Sequence, residues 1–477
     1  MYKENVRPKE ALRKAVCWGV VTLMVALWVP MAVMAEEYVV VFENENVSAT
    51  AATQAVEEAG GQVMQGHFDI GVAIVQSDDP NFEVLIEQNG LVEGCAENAT
   101  IRASSPEIGD EFLELPAPAQ AAAAKSTSTS LVTDPTQAPF YPFQWNMRIM
   151  GADQAWAAGY LGDPSISVAV VDTGLDYNHP ELVGRVNLDK SKSFVPEDDI
   201  IVEQEFPGEH PIADLHFHGT YVAALIGCNA AGIACVSPNV DLIGVKVLNS
   251  ELDGTVGSIT SGIRYAGAIR SDVIVLSFDM FMSRSTDEAA IKAIRRAIRF
   301  AWRKGSYIVG ELGGIDFGID LDNDDPDQVQ VPAEISNKLT VVSASGPLDE
   351  FSNFSNYGLS VVDMSGPGGF ARFPNSDNAV LGPCSSFTIV EALSICRDTP
   401  FRYVFLVHPF GAAAHVGGAA ALVDSQLWGW RRGWRIRNLL NRSVDDIGEP
   451  GRDAFFGRGR VNVMRALELG DPWGWGW

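Results

Sequence analysis

The chain has 477 residues, room for one large enzyme-sized domain and a small accessory one. It carries 61 acidic against 34 basic residues, a formal net charge of -27. Such a field repels phosphate backbones and anionic lipid, so nucleic acid is excluded as an expected partner.

The first 35 residues read as a secretion signal. They have a basic start (Lys3, Arg7, Lys9, Arg13, Lys14), an apolar run from Val16 to Val29, Pro30 as a breaker, and a small-residue end at Ala35. An uncleaved membrane anchor is the alternative, but the apolar run falls short of the roughly 20 residues a span needs. Cleavage after Ala35 would leave a secreted, periplasmic or envelope-held protein with no membrane segment.

From Glu36 to Arg102 the pattern predicts a small α+β domain. Strands are expected at Tyr38 to Phe42, Val63 to Phe68, Val72 to Val75 and after Leu91. Helices are expected around Ala49 to Ala59, ended by Gly60 and Gly61, and near Phe82 to Glu87. That order, βαββαβ, is the ferredoxin-like pattern. Residues 103–138 turn to Ala, Ser, Thr and Pro, with too little apolar bulk to offset their ordering entropy, and read as a linker.

Residues 139–470 alternate apolar strands (Ile166 to Val171, Val240 to Leu248, Val273 to Phe278, Leu339 to Ala344) with helical stretches such as Asp287 to Arg303. In that helix Ala290, Ile291, Ile294, Ala297, Ile298 and Trp302 share a face, and the basic residues lie largely elsewhere. The alternation predicts an α/β fold in three layers around a mostly parallel sheet. Functional side chains are then expected at the carboxyl ends of strands.

One such end carries Asp172, in Val171-Asp172-Thr173-Gly174. Alone this also fits an aspartic protease, which needs a second such site or a homodimer, and nothing further in the chain supplies either. His218 follows in His218-Gly219-Thr220, opening a run of small and apolar residues suited to a closely packed helix. With Ile243 to Leu248, Pro332-Ala333, Phe351 to Gly358, Gly366 to Gly368, His415 to Leu422 and Gly457 to Asn462, the chain resembles the subtilase family of serine peptidases in the family's own order. The resemblance covers nearly all of Phe140 to Leu469, and its Asp, His, Ser order is that of subtilisin. It implies a subtilisin-like domain and, in residues 36–102, a propeptide acting as intramolecular chaperone and inhibitor. The chain's own propeptide and a peptide or protein ligand are therefore the expected partners.

Three positions depart from the family. The nucleophile motif Gly-Thr-Ser falls on His408-Pro409-Phe410, so Phe410 stands where serine is required. The oxyanion asparagine falls on Gly314, which has no side-chain amide. The family's Ser-Leu-Gly-Gly strand becomes Ser277-Phe278-Asp279-Met280, and with Gly254 this is the expected substrate cleft. The resemblance so modified implies a pseudopeptidase retaining Asp172 and His218. The competing reading is an active serine endopeptidase with a relocated nucleophile, Ser385 or Ser386 being the best placed.

Six cysteines leave two sequence-close pairs, Cys228 with Cys235 and Cys384 with Cys396, which an oxidising compartment would allow to close; free buried thiols are the alternative. No cofactor is expected. Asp320, Asp322 and Asp324 alternate as in calcium loops, but Asp325 and Val331 stand where an EF-hand has its glycine and glutamate. They read as a solvated acidic loop, with a structural calcium ion as the alternative. The tail 471–477 ends in Trp473-Gly-Trp-Gly-Trp477, a candidate contact surface.

Overall fold

A computed structural model describes residues 35–104, 107–117, 120, 130–314, 318–370, 375–391, 394–397, 401–427 and 433–470. The signal segment, most of the Ala-rich stretch and the tryptophan tail lie outside the described residues.

Seven parallel strands form the central sheet. They are β7 (Ser167–Asp172), β8 (Lys192–Ser193), β9 (Asp241–Lys246), β11 (Val273–Leu276), β13 (Tyr307–Glu311), β15 (Thr340–Ser345) and β16 (Met364–Pro367). Their order is β16-β15-β13-β11-β7-β9-β8. Strand residues alternate between two apolar cores. Val168 and Val170 join the core packed against helices α3 (His218–Ile226) and α6 (Pro409–Asp424). Ala169 and Val171 join the core packed against α4 (Val256–Ala268) and α5 (Glu288–Lys304). Burial on both faces is why these strands read as unbroken apolar runs.

The N-terminal domain follows the predicted order: β1 (Glu36–Phe42), α1 (Ala49–Glu58), β2 (Gly61–His67), β3 (Val72–Ser77), α2 (Phe82–Glu87) and β4 (Val92–Glu97). Its antiparallel sheet runs β2-β3-β1-β4. Tyr38, Val40 and Phe42 pack under α1 and α2, while Val39 and Val41 lie in the same core as α4 and α5. The domain is thereby docked on those two helices.

Much of the basic face of α5 is engaged in this docking. Arg296 is 5 % exposed, donates to the carbonyls of Phe42, Ile70 and Gly71 at 2.8, 3.2 and 3.0 Å, and meets Glu93. Lys292 also reaches Glu93, Arg299 and Arg303 share Glu45, and Arg264 of α4 holds Asp69 bidentately.

Beyond β4 the chain forms two further strands, the second of which corrects the linker expectation for residues 103–138. Strand β5 (Thr100–Arg102) pairs with β10 (Asp253–Thr255). Glu107–Glu114 forms β6, antiparallel to β18 (Arg402–Val407), which also pairs β17 (Val380–Pro383). The apolar residues Ile108, Phe112 and Leu113 fall in register with β18, a pairing that composition averaged over residues 103–138 conceals. Both expected disulfides are present, with Cα separations of 5.8 Å for Cys228–Cys235 and 5.4 Å for Cys384–Cys396; Cys95 is free and buried. Among the described residues no helix is long and apolar enough to cross a membrane.

Candidate functional site

Asp172 ends β7, and His218 is the first residue of α3. Helix α3 approaches β7 so closely that a Cβ on Gly219 would collide with the Gly174 carbonyl oxygen, so glycine is required there. This contact sets His218 Nδ1 2.8 Å from Asp172 Oδ1, with both side chains almost wholly buried. Asp214 braces the turn, accepting from the hydroxyls of Thr173 (2.8 Å) and Thr220 (2.5 Å) and from the Thr220 amide (2.9 Å). Burial alone would lower the His218 pKa, but the charge of Asp172 and its hydrogen bond outweigh it, and the imidazole is raised above its ordinary value.

Phe410 lies in the first turn of α6, where His408 is the N-cap. Its ring is 1 % exposed and meets the His218 ring at 4.2 Å between centroids, inclined by 61°. His408 stacks on the same ring at 4.8 Å, and Tyr221 meets it edge-on at 5.5 Å. The position aligned with the family's serine therefore does face His218, filled by an aromatic ring.

Gly314 follows β13, and a Cβ there would collide with the Phe354 carbonyl oxygen, so the backbone excludes any side chain at that place. Ser277 and Asp279 are buried at the carboxyl end of β11, and Gln330 donates to Asp279 Oδ2 at 3.2 Å. Gly254 sits in β10 opposite Ile101, so this edge of the cleft is already paired with the chain's own β5. Arg102 locks the pairing with two bonds to Asp253, at 2.7 and 2.8 Å.

Two site residues were not singled out from sequence. Glu311, the last residue of β13, is 1 % exposed and lies 3.3 Å from His408 through Oε2. Burial, reinforced by the nearby charges of Asp279 and Asp172, lifts its carboxyl well above the ordinary range. A glutamate closing an apolar strand was the available signal. His408, two residues before Phe410, carried no such signal, because only the fold brings it beside Glu311.

The alternative serines have other engagements. Ser385 Oγ donates to the Asp214 carbonyl at 2.6 Å, and Ser386 Oγ to Asp176 Oδ2 at 2.7 Å. Asp320 and Asp322, two residues of the calcium alternative, accept from neighbouring donors. Asp320 accepts from Asn323 and from the Asp322 amide, at 2.8 and 3.1 Å, and Asp322 turns to Ser360. Such short acidic side chains satisfy nearby donors within the loop. Among the described residues no group of three His, Cys, Asp or Glu could hold a metal ion.

An aspartate at the end of a central parallel strand, paired with a histidine that opens a helix on the same sheet and facing the head of a second helix, defines a subtilisin-like α/β protein. The chain belongs to the subtilase family (Peptidase S8), whose model it matches over residues 163–459. It is 30 % identical to thermitase from Thermoactinomyces vulgaris over 339 residues, covering 70 % of this chain and 99 % of that protein. It is 29 % identical to a thermophilic serine proteinase from Bacillus sp. (strain AK1) over 336 residues, covering 70 % and 69 %. Among solved structures, the epidermin leader peptide processing serine protease of Staphylococcus aureus has a TM-score of 0.70 at 18 % identity, covering 92 % of this chain and 99 % of that one. The nisin leader peptidase of Lactococcus lactis has a TM-score of 0.58 at 20 % identity, covering 70 % and 96 %.

Proposed function

We propose that this protein is an exported pseudopeptidase that uses a subtilase fold to bind a peptide or protein without hydrolysing it. The observation that carries the reading is the Phe410 ring packed against His218 at 4.2 Å. Serine peptidases need a hydroxyl at that point, from which the histidine takes a proton as the oxygen attacks the carbonyl. A phenyl ring has no lone pair to attack with and no proton to give. The exclusion of a side chain at Gly314 supports the same reading, because no side-chain amide can be offered to a developing oxyanion from there.

The Asp172–His218 pair is then a structural remnant, kept by the packing of α3 on β7. The N-terminal domain acts as a resident intramolecular ligand, its segment Thr100–Arg102 lying on the β10 edge. The reading requires no cofactor and no nucleic-acid partner, and it places the mature protein outside the cytoplasm after loss of the first 35 residues.

The test is covalent labelling of the full-length protein, expressed in a protease-deficient host, with a fluorophosphonate probe. No labelled peptide and an intact N-terminal domain by mass spectrometry are expected. A label at Ser385, Ser386 or any other position would overturn the reading in favour of a relocated nucleophile.

A further inference from the structure

A groove of about 680 Å³ lies between the N-terminal domain and the segment of the large domain that follows β8. It reaches β10 but shares no residue with β5, or with β12 (Met280–Ser283), which pairs with β14 (Gln328–Val331). It therefore lies beside the expected substrate cleft and not in it. Its floor is apolar, with Ile74, Val195 and Val247 buried. One wall is the edge strand β2, whose register with β3 passes from Val63↔Val75 to Gln65↔Ile74. Met64 is the extra residue of that bulge, and its side chain is 53 % exposed in the groove wall. A bulge re-aims a side chain, and a flexible methionine adapts to varied apolar ligands. The large domain adds Phe194 and Pro196.

Both domains also supply acid. Glu37 stands on β1, and Glu197 and Asp199 stand on the helix Pro196–Glu205. Among the described residues no lysine, arginine or histidine lines the groove, and none of these three carboxylates is in an ion pair. The basic groups close by are already engaged. Lys246 lies 2.7 Å from Asp198 and donates to the Ala213 carbonyl at 2.8 Å. Lys192 lies over the Phe194 and Tyr265 rings, and Arg102 holds Asp253. Asp199 Oδ1 is shielded from water yet has no hydrogen-bond partner among the described residues. Burial raises this carboxyl, against the opposing pull of Ser193 and Lys246.

We propose that this groove binds a linear aliphatic polyamine, its ammonium groups on Glu37 at one wall and on Glu197 and Asp199 at the other, its methylenes on Met64 and Phe194. Carboxylates on two walls with apolar surface between them match cations separated by a hydrocarbon chain. An anion would meet like charge on both sides, and a hydrated metal ion gains nothing from an apolar floor. The net charge of -27 draws polycations toward the protein in general, and the groove gives them one fitted place. Because the walls belong to different domains, the ligand binds only the docked form and holds the N-terminal domain in place by mass action. Such a site is independent of whether the large domain hydrolyses peptides.

The experiment is isothermal titration calorimetry of the full chain at low salt with spermidine, with propylamine and magnesium chloride as comparisons. Spermidine is expected to fill a single site, and the two comparison cations to bind about tenfold more weakly or worse, the worth of one lost charged hydrogen bond. Glu37→Gln with Glu197→Gln removes one exposed carboxylate from each wall and is expected to weaken spermidine by a similar factor. Glu57→Gln with Glu449→Gln makes the same change in net charge at exposed positions outside the groove and is expected to leave the affinity unchanged. Met64→Lys, at an exposed position, sets a fixed cation in the groove and should abolish binding. In wild type, spermidine should also slow amide hydrogen exchange in β1. Absence of saturable binding, equal binding of magnesium, or equal weakening by the two pairs of substitutions would overturn the proposal. So would binding that Met64→Lys leaves intact, or exchange in β1 that spermidine does not slow.

Discussion

Glu311 Oε2 lies 3.3 Å from His408 Nδ1, joining the end of β13 to the N-cap of α6, whose ring stacks on Phe410. His408 is 5 % exposed and Glu311 1 %, so the contact is sealed from water. Burial holds the Glu311 carboxyl well above the ordinary range, which favours its neutral form beside the imidazole. His408 in turn stacks on the Phe410 ring, which packs against His218.

Truncating that ring should cost stability before it changes chemistry. Phe410→Ala is expected to destabilise by about 3–5 kcal/mol, the usual range for a buried phenyl group. Phe410→Ser should lose a similar amount and leave hydrolysis of a chromogenic peptide anilide at the buffer rate. Urea unfolding reads the first and absorbance the second; turnover by the serine variant would mean the remaining site is competent.

Gly314→Asn, the change that formally restores the family's residue, should fail structurally. Its Cβ would drive into the Phe354 carbonyl, so the strand end and the neighbouring loop must shift. A lower melting temperature, with no gain in anilide hydrolysis on the Phe410→Ser background, is the expected result.

Arg296→Ala removes the donor shared by three N-terminal carbonyls and leaves Glu93 one partner fewer. Breaking a buried charged contact of this kind costs about 3–5 kcal/mol. The loss should appear as faster amide hydrogen exchange in β1 and β4, with the central strand β7 little affected. Uniform change across both domains would contradict this account of docking.

The same interface should respond to acid. His67 Nε2 lies 2.7 Å from Ser261 Oγ of α4. Burial, reinforced by the nearby charges of Arg264 and Lys192 and opposed by Asp69, lowers its pKa to about 4. The folded state thus keeps His67 neutral at pH values where the unfolded chain, with a pKa near 6.5, binds a proton. Its contribution is fully present above about pH 6.5 and is lost as pH falls toward 4, on the order of 3 kcal/mol. His218 acts with the opposite sign, since its pKa is raised: its contribution is present at low pH and is lost as pH rises through the folded value. Urea unfolding of wild type and His67→Gln at several pH values checks this, and the variant should lose less stability between pH 6.5 and 4.

Local pattern determined a large part of this protein. The apolar runs that become β7, β9, β11 and β15 follow from burial on both faces, and the glycine-punctuated helix pattern of Ala49–Glu58 follows from the backbone. Asp172 and His218 were legible because each sits in a compact local motif, and Phe410 because a gap-free count back from the small-residue helix falls on it. What only the tertiary structure decided depends on residues far apart in the chain. The arginines of α5 look like a solvated face until β1 and β4 arrive to be held by them. Glu107–Glu114 looks like spacer until β18 offers an edge, and Glu311 meets His408 only because β13 and the head of α6 converge. Hydrogen bonds and desolvation act on whatever the fold brings within a few ångströms, and no local window of sequence contains that partner.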